Sequence, residues 1–172
     1  MENLSSQYPI GKFAAQESYS KDELHDFIRR IEVLPAKVEA AISKLSASQL
    51  DTPYRDGGWT IRQVVHHMAD SHMNAYIRFK WTLTEETPTI KAYDEKAWAL
   101  TPETKGDPQL SLNLLKALHQ KWIVLLKNIA PQDLSRQFFH PDSKKYVRVC
   151  DLMGLYAWHG DHHLAHILGT KF

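Results

Sequence analysis

Histidine is the residue type with the clearest chemical pattern in this sequence. Seven of the ten histidines fall in two short segments, 65–72 and 158–166. His159 and His163 are four residues apart, so on a helix their Cβ atoms lie on one face, roughly 5–6 Å apart. Two imidazoles in this arrangement can hold one zinc ion, to which each nitrogen bonds at about 2.0–2.1 Å. Zinc proteases use the same spacing, although Gly160 stands where they carry a glutamate.

A single histidine on an apolar helix face is more often a hydrogen-bonded core residue than a metal ligand. Here the clustering favours metal, because several neighbouring buried imidazoles need something to satisfy their nitrogens. His159, His163 and His166 share the apolar face of the last predicted helix. The segment 158–166 therefore predicts two ligands, His159 and His163, and leaves His162 and His166 as outer-shell or pocket candidates.

A mononuclear site needs at least one more ligand, and the segment 65–72 is the candidate source. Helical periodicity favours His72, which lies at the centre of the apolar stripe of its helix. His67 lies on the flank of that stripe, and His66 points further away. Spacing alone narrows the third ligand to this segment without choosing between His67 and His72.

Four amphipathic helices are predicted to carry these residues. Their starts are marked by Ser20-x-x-Glu23 and Thr60-x-x-Gln63, which are capping boxes, and by Asp107-Pro108 and Asp151, which are N-caps. Pro35 predicts a kink or short break in the first helix. The second helix is expected to end near Leu83 and the fourth near Leu168.

The connections between the helices complete the predicted fold. Residues 1–19 read as an N-terminal arm, 84–106 as a long crossover between helices two and three with a short helical piece near 94–100, and 145–149 as a short strand. The third helix is predicted to bury one apolar stripe, consisting of Leu110, Leu114, Leu118, Trp122, Leu125 and Ile129. The fold class is therefore all-α, a four-helix bundle forming a single domain over residues 1–172.

Composition narrows the possible partners. The net charge is +1, from 21 basic and 20 acidic residues, and no block of like charges marks a nucleic-acid or membrane surface. The sequence begins without a signal-peptide pattern, and no apolar run reaches membrane-spanning length. A cytoplasmic location is expected.

Cys150 is the single cysteine, so no intramolecular disulfide can form. A lone cysteine is more often inert than reactive.

Several short motifs resemble one family. They are Tyr8-Pro9-Ile10-Gly11, the segments 51–60, 64–70 and 93–98, and the block from Trp158 to His166. Together they are similar to the DinB-like metalloprotein superfamily, and most of all to its YfiT subgroup of metal-dependent hydrolases. The resemblance covers nearly the whole chain, and the histidine blocks are specific only in combination.

The resemblance implies a ligand set and an activity. In the family, one ligand is the histidine that directly precedes a hydrophobic residue, Ala and Asp. His67, which precedes Met68-Ala69-Asp70, matches this position, and His72 does not. The family's His-x-x-x-His motif matches His159 and His163. One divalent metal ion per chain is implied, with zinc the default and nickel the alternative. The implied function is transfer of a low-molecular-weight thiol of the bacillithiol type, with metal-dependent hydrolysis as an alternative. A metal-binding stress protein without catalysis, or a helical dimerisation module, is the alternative from another class.

A small-molecule substrate is expected near the ligands, in contact with polar residues of helix two and the crossover. Arg78 could hold a carboxylate, and Asp70 could orient a ligand imidazole. Each could equally belong to a solvated helix face. Related proteins pair through helix faces, so a homodimer is expected. The remaining pocket candidates are Asn74, Tyr93, Asp94 and Trp98.

Overall fold

Four long helices make up most of the chain in a computed structural model that describes residues 4–172. They are α1 (Lys21–Ile42), α2 (Ile61–Thr84), α3 (Pro108–Lys127) and α4 (Val149–Gly169). Shorter helical pieces cover Leu4–Gln7, Ala47–Leu50, Glu95–Trp98, Pro102–Lys105 and Pro131–Ser135. The all-α four-helix bundle predicted from periodicity is confirmed. No helix in the described part of the chain is long and apolar enough to cross a membrane.

The predicted helix starts are mostly confirmed. The Ser20 and Thr60 hydroxyls each accept a hydrogen bond from the backbone N–H three residues later, and the side chains of Glu23 and Gln63 complete both capping boxes. Asp107 caps α3 as expected. Asp151 does not cap α4: the helix begins earlier, at Val149, and the Asp151 carboxylate pairs with Arg148 instead.

The break expected at Pro35 is absent, and α1 continues through it to Ile42. A proline inside a helix has no N–H for the carbonyl four residues earlier, which here belongs to Ile31. That carbonyl accepts a hydrogen bond from His119 Nδ1 at 2.7 Å. The buried carbonyl is therefore satisfied by a side chain of α3, which allows α1 to remain helical.

The helices are not arranged in simple sequence order. α1 packs against α3 and α4, and α2 packs against the same two helices. Consequently α1 and α2 lie diagonally across the bundle, as do α3 and α4. The α2–α4 contact brings the two histidine segments together, while Gly160 on α4 allows a close approach to α1, because a Cβ there would collide with Leu34.

A two-stranded hairpin precedes α4. Strand β1 (Gln137–His140) pairs antiparallel with β2 (Lys145–Arg148), and Gln137 is opposite Arg148. The expected strand near 145–149 is thus present. Of the predicted N-terminal arm, Met1–Asn3 lie outside the described residues, and the rest contacts α4 through a hydrogen bond from Trp158 Nε1 to the Gly11 carbonyl at 3.2 Å.

The core lies between the four helices, but α3 buries a different face from the predicted one. Trp122 is fully buried as expected, whereas Leu110 and Leu114 are 67% and 44% exposed. The residues that α3 does bury include a histidine that periodicity did not select, and they are Pro108, Leu112, Leu115, His119, Trp122, Ile123 and Leu126.

Candidate metal centre

The structure brings His67, His159 and His163 together at the interface of α2 and α4. One ring nitrogen from each lies within 4.8 Å of the other two. Nε2 of His67 and Nε2 of His159 are 3.2 Å apart. Two nitrogens bonded to one ion at about 2.0–2.1 Å in tetrahedral geometry are about 3.3 Å apart, so this spacing suits a metal.

All three imidazoles are neutral at physiological pH. Burial, together with the proximity of His162, lowers the pKa of His67 to about 4. Burial and the neighbouring imidazoles hold the pKa values of His159 and His163 well below the ordinary value. Neutral imidazole is the form that binds a metal ion, so these rings are ready to act as ligands.

His72, the ligand favoured by periodicity alone, is completely buried but does not join this triad. Its Nε2 lies 3.1 Å from Nδ1 of His159, and its Nδ1 lies 2.8 Å from Nε2 of His119. His119 in turn contacts the Ile31 carbonyl. We call this series, from His159 through His72 and His119 to Ile31, the core histidine chain.

A second, shorter series of hydrogen bonds begins at His163. Its Nδ1 lies 3.4 Å from Nδ1 of His166, and Nε2 of His166 lies 3.2 Å from the Gln7 carbonyl. We call His163, His166 and Gln7 the arm histidine chain, because it ends on the N-terminal arm. His166, an outer-shell or pocket candidate from the sequence, therefore hydrogen-bonds with a candidate ligand.

The structure places the other candidates suggested by the sequence, Asp70, Asn74 and His162, in different surroundings. Asp70 forms no hydrogen bond with a histidine in the described part of the chain. Its half-buried carboxyl lies near Glu103, and burial followed by that charge raises the pKa of Asp70 to about 6. Asn74 donates to the Asp70 carbonyl and does not line the site pocket. His162 stacks on Trp158 at a centroid distance of 4.5 Å, and burial lowers its pKa to about 4.

A cavity of about 590 Å³ opens onto the three histidines. Arg78 and Tyr93, both candidates from the sequence, line it. Trp59 also lies on the wall. Sequence reasoning missed the contribution of the hairpin and its turn, since no motif there marks a site. The cavity lining is completed by Ser71, Ala92, Glu95, His140, Asp142, Ser143 and Tyr156.

Arg78 is the charged group of most interest in this cavity. Its side chain is 8% exposed, yet it forms no ion pair with any carboxylate of residues 4–172. It shares the cavity wall with His140 of the hairpin. Burial and then the Arg78 charge lower the pKa of His140. A buried guanidinium without a partner is unfavourable, so this geometry suits an anionic group of a ligand.

Three hydroxyl-bearing side chains, Ser71, Tyr93 and Tyr156, line the cavity near His159. Ser71 Oγ is 3.4 Å from both the Tyr156 hydroxyl and His159 Nε2. Burial raises the pKa of Tyr93 to about 12. The tyrosine is therefore a neutral O–H donor at physiological pH. Asp94, by contrast, caps the short helix Glu95–Trp98, and Trp98 packs against Tyr93.

Cys150 takes no part in this site. It is buried at the start of α4, and burial together with the charge of Asp151 raises the pKa of its thiol. A protonated, buried thiol is a poor nucleophile and a poor metal ligand. This agrees with the expectation of an inert cysteine.

Comparison with known proteins gives a consistent family assignment. Residues 30–167 match the model of the DinB superfamily. YfiT from Bacillus subtilis is 52% identical over 168 residues, covering 97% of this chain and 94% of YfiT. A protein from Bacillus pumilus is 45% identical, covering 95% of this chain and 93% of that protein. Both relatives carry the provisional name of metal-dependent hydrolase.

A solved structure of Bacillus subtilis YfiT is also similar to this chain. Its TM-score is 0.93, and the match covers 95% of this chain and 94% of that one. It is described as a probable metal-dependent hydrolase with an unusual four-helix bundle topology. The diagonal placement of α1 and α2 accords with that description of the bundle.

Proposed function

Because the chain belongs to the DinB superfamily, we propose that it is a metal-dependent enzyme whose single divalent ion is held by His67, His159 and His163. The observation that carries this proposal is the convergence of three neutral imidazoles at the wall of a cavity large enough for a small molecule. Zinc is the proposed metal, with nickel the second choice. A three-histidine set leaves open positions, as catalytic zinc sites do.

The proposed reaction is S-transfer of a low-molecular-weight thiol of the bacillithiol type. The thiol loses its proton to solvent, its sulfur bonds to an electrophilic carbon of the acceptor, and the leaving group departs with the bonding electrons. Bound between the histidines, a divalent ion would act as a Lewis acid that lowers the pKa of a coordinated thiol or water.

The donor set suits either reaction. The candidate ligands of the described chain are all histidines, and the cavity carboxylates, Glu95 and Asp142, are not among them. A zinc ion on three histidines can lower the pKa of a bound water to about 7. A thiol, which ionises near pH 8.5 when free, needs a much smaller shift than water to become a nucleophile, and S-transfer is therefore the first candidate. Hydrolysis is the second candidate, favoured by the provisional names of the Bacillus relatives.

The remaining cavity residues position the reactants. The Arg78 guanidinium can bind a carboxylate of the thiol or the acceptor through two parallel hydrogen bonds. The hydroxyls of Tyr93, Tyr156 and Ser71 can donate to oxygens near His159. Trp59, 4.6 Å from His67 between ring centroids, supplies an apolar wall that limits access of water.

Metal content is the first test of this proposal. Protein purified without chelating resin should contain about one divalent ion per chain, and His163→Ala should contain much less. His66→Ala is the matched control, since His66 is a buried histidine of α2 that hydrogen-bonds with Ser111. Full metal content in His163→Ala would contradict the ligand assignment.

Activity assays distinguish the candidate reactions. The metal-loaded protein is offered bacillithiol with an electrophilic acceptor, and separately a panel of esters and amides without thiol. Metal-dependent conjugation supports S-transfer, whereas cleavage in the absence of thiol supports hydrolysis. Tight metal binding with no turnover in either assay supports the non-catalytic alternative.

Arg78 provides a test of substrate charge. Hydrogen bonds to charged groups contribute about 1.5–3 kcal/mol, so Arg78→Gln should lower kcat/KM for a carboxylate-bearing substrate by roughly 10–100-fold. A neutral ester of the same substrate is the control and should lose much less. Equal losses of kcat/KM for both substrates would show that Arg78 does not recognise the carboxylate of the substrate.

The homodimer stays a prediction. Apolar side chains exposed on the neighbouring helices α2 and α3 are surfaces that a second copy could cover, namely Ile77, Trp81, Leu110 and Leu114. Light scattering coupled to size-exclusion chromatography should give twice the chain mass of 19.9 kDa. Replacing Leu110 and Leu114 by Gln should then give the monomer.

A further inference from the structure

The core histidine chain has one consistent arrangement of protons, and it is fixed at its far end. A backbone carbonyl only accepts hydrogen bonds, so Nδ1 of His119 must carry the proton that bonds to Ile31 O at 2.7 Å. A neutral imidazole has one N–H, which leaves Nε2 of His119 as an acceptor. Nδ1 of His72, 2.8 Å away, must therefore be the donor to it.

The same logic continues to the candidate ligand. With its proton on Nδ1, His72 presents an unprotonated Nε2 to His159. Nδ1 of His159 donates to it over 3.1 Å, which leaves Nε2 of His159 with a free lone pair. That Nε2 is the atom 3.2 Å from Nε2 of His67. The chain thus presents the lone pair of His159 where a metal ligand needs it.

The anchor of the chain depends on Pro35. In an uninterrupted helix, the carbonyl of residue 31 would accept from the N–H of residue 35, and proline has none. His119 takes that place. Since His72 and His119 are 0% and 1% exposed, water does not compete for these bonds.

We propose that His72 and His119 are positioning residues of the metal centre, which fix the tautomer and ring orientation of His159 through the carbonyl left free by Pro35. The chain acts by orientation and does not conduct protons to the opposite side of the bundle, because its terminal carbonyl cannot take up a proton. The rings of His72 and His119 are nearly coplanar, with centroids 5.0 Å apart and planes 10° apart, as expected for two imidazoles joined edge to edge by an N–H···N hydrogen bond.

This inference rests on the proposed metal site, but part of it can be tested without metal. Long-range ¹H–¹⁵N NMR spectra of the metal-free protein, labelled at histidine, report which ring nitrogen carries each proton. We expect Nδ1–H tautomers for His119, His72 and His159. A proton on Nε2 of His159 in the metal-free, wild-type protein would overturn the proposal, whatever the protein's activity.

Metal affinity supplies the second measurement. Apparent Kd values for Zn²⁺ are obtained by competition with a chelator. His119→Phe removes the acceptor for His72, which is the direct partner of His159, and so releases the ring that orients the ligand. Kd should rise by about 10–100-fold, as when a ligand histidine loses its own outer partner. His119→Gln keeps an acceptor and a donor in the same place and should recover most of that loss.

The control separates positioning from general loss of packing. His66→Phe alters another buried histidine of the bundle, one that contacts Ser111 and lies outside the core histidine chain. It should leave Kd near the wild-type value even if the melting temperature falls. Unchanged affinity in a folded His119→Phe, or equal losses in His119→Phe and His66→Phe, would refute the proposal. Failure of the wild-type protein to bind any metal would instead refute the proposed function.

Discussion

The core and arm histidine chains each link a candidate metal ligand to a backbone carbonyl, but their surroundings differ. Each starts at a candidate ligand on α4, passes through at least one further imidazole and ends on a backbone carbonyl. The core chain involves all four long helices and is closed to water. The arm chain has longer bonds, 3.4 and 3.2 Å, and ends on the short helix Leu4–Gln7.

This difference indicates how firmly each ligand is held. A hydrogen bond closed to water is costly to lose, since the groups left behind stay unpaired. A bond near the surface can be replaced by water at little cost. We therefore expect His159 to be the rigid ligand and His163 the adaptable one, which gives three predictions in order of expected effect.

The largest effect is expected on acid stability. The pKa of His119 in the folded chain is about 4, lowered mainly by burial from 6.5. The unfolded chain therefore binds a proton at this histidine below pH 6.5, whereas the folded chain does so only near pH 4. The free energy of unfolding is unaffected by His119 above pH 6.5 and decreases as the pH falls from 6.5 to 4. The shift corresponds to about 3 kcal/mol. Urea denaturation of the metal-free protein between pH 7.5 and 4 should show this loss.

The comparison of variants then separates the two chains. His119→Gln, which cannot be protonated, should flatten the pH dependence by up to the same amount. His166→Gln should flatten it less, because His166 is less completely buried in the bundle. Identical slopes for wild type and His119→Gln would show that the core chain is not the acid-sensitive element.

A smaller effect is expected from cutting the arm chain. A protein that starts at Tyr8 lacks the Gln7 carbonyl, but water can take its place next to His166. Its Kd for Zn²⁺ should rise by no more than about ten-fold, the lower end of the usual range for outer partners. Chelator competition, with His119→Phe measured in parallel, provides the check. A loss as large as that of His119→Phe would make the two chains equivalent.

The smallest effect concerns Asp70, which lies on α2 between His67 and His72 and belongs to neither chain. Its folded pKa of about 6 lies above the ordinary 3.8, mainly because of burial. Stability is therefore lost as the pH rises through 6, and Asp70→Asn should be more stable than wild type at pH 7, by about 1 kcal/mol after allowance for solvent screening. This gain should vanish below pH 4.

Asp70→Asn also serves as a control for the comparison. Its metal affinity should match that of the wild-type protein, because Asp70 forms no hydrogen bond with a histidine in the described chain. A marked change in Kd for Zn²⁺ would restore the outer-shell role that the sequence suggested for it.

Much of the fold could be predicted because its signals are local. Capping boxes at Ser20 and Thr60 depend on side chains three residues apart, and both helices start where predicted. The pair His159 and His163 was visible for the same reason, since a helix places such residues on one face. Choosing His67 over His72 was different, because both rings are buried and both approach His159 of α4. Only the packing of the helices decides that His67 lies at Nε2 of His159 and His72 at its Nδ1.

The outer parts of the site could not be predicted in this way. His119 was missed because the face that α3 buries depends on its neighbours, and the pattern beginning at Leu110 favoured another stripe. Pro35 predicted a break because the sequence does not show that a side chain 84 residues later would satisfy the Ile31 carbonyl, a contact between residues 88 apart. The hairpin carries no motif, so His140 and Asp142 gave no signal.

The diagonal placement of α1 and α2 has a consequence for the folding rate. Helices that are adjacent in sequence often form an early hairpin, yet of the three consecutive pairs only α2 and α3 pack closely here. The contact between His67 and His159 spans 92 residues. Such a contact order predicts slower folding than in an up-and-down bundle of equal length, with the metal centre completed only once α4 has docked.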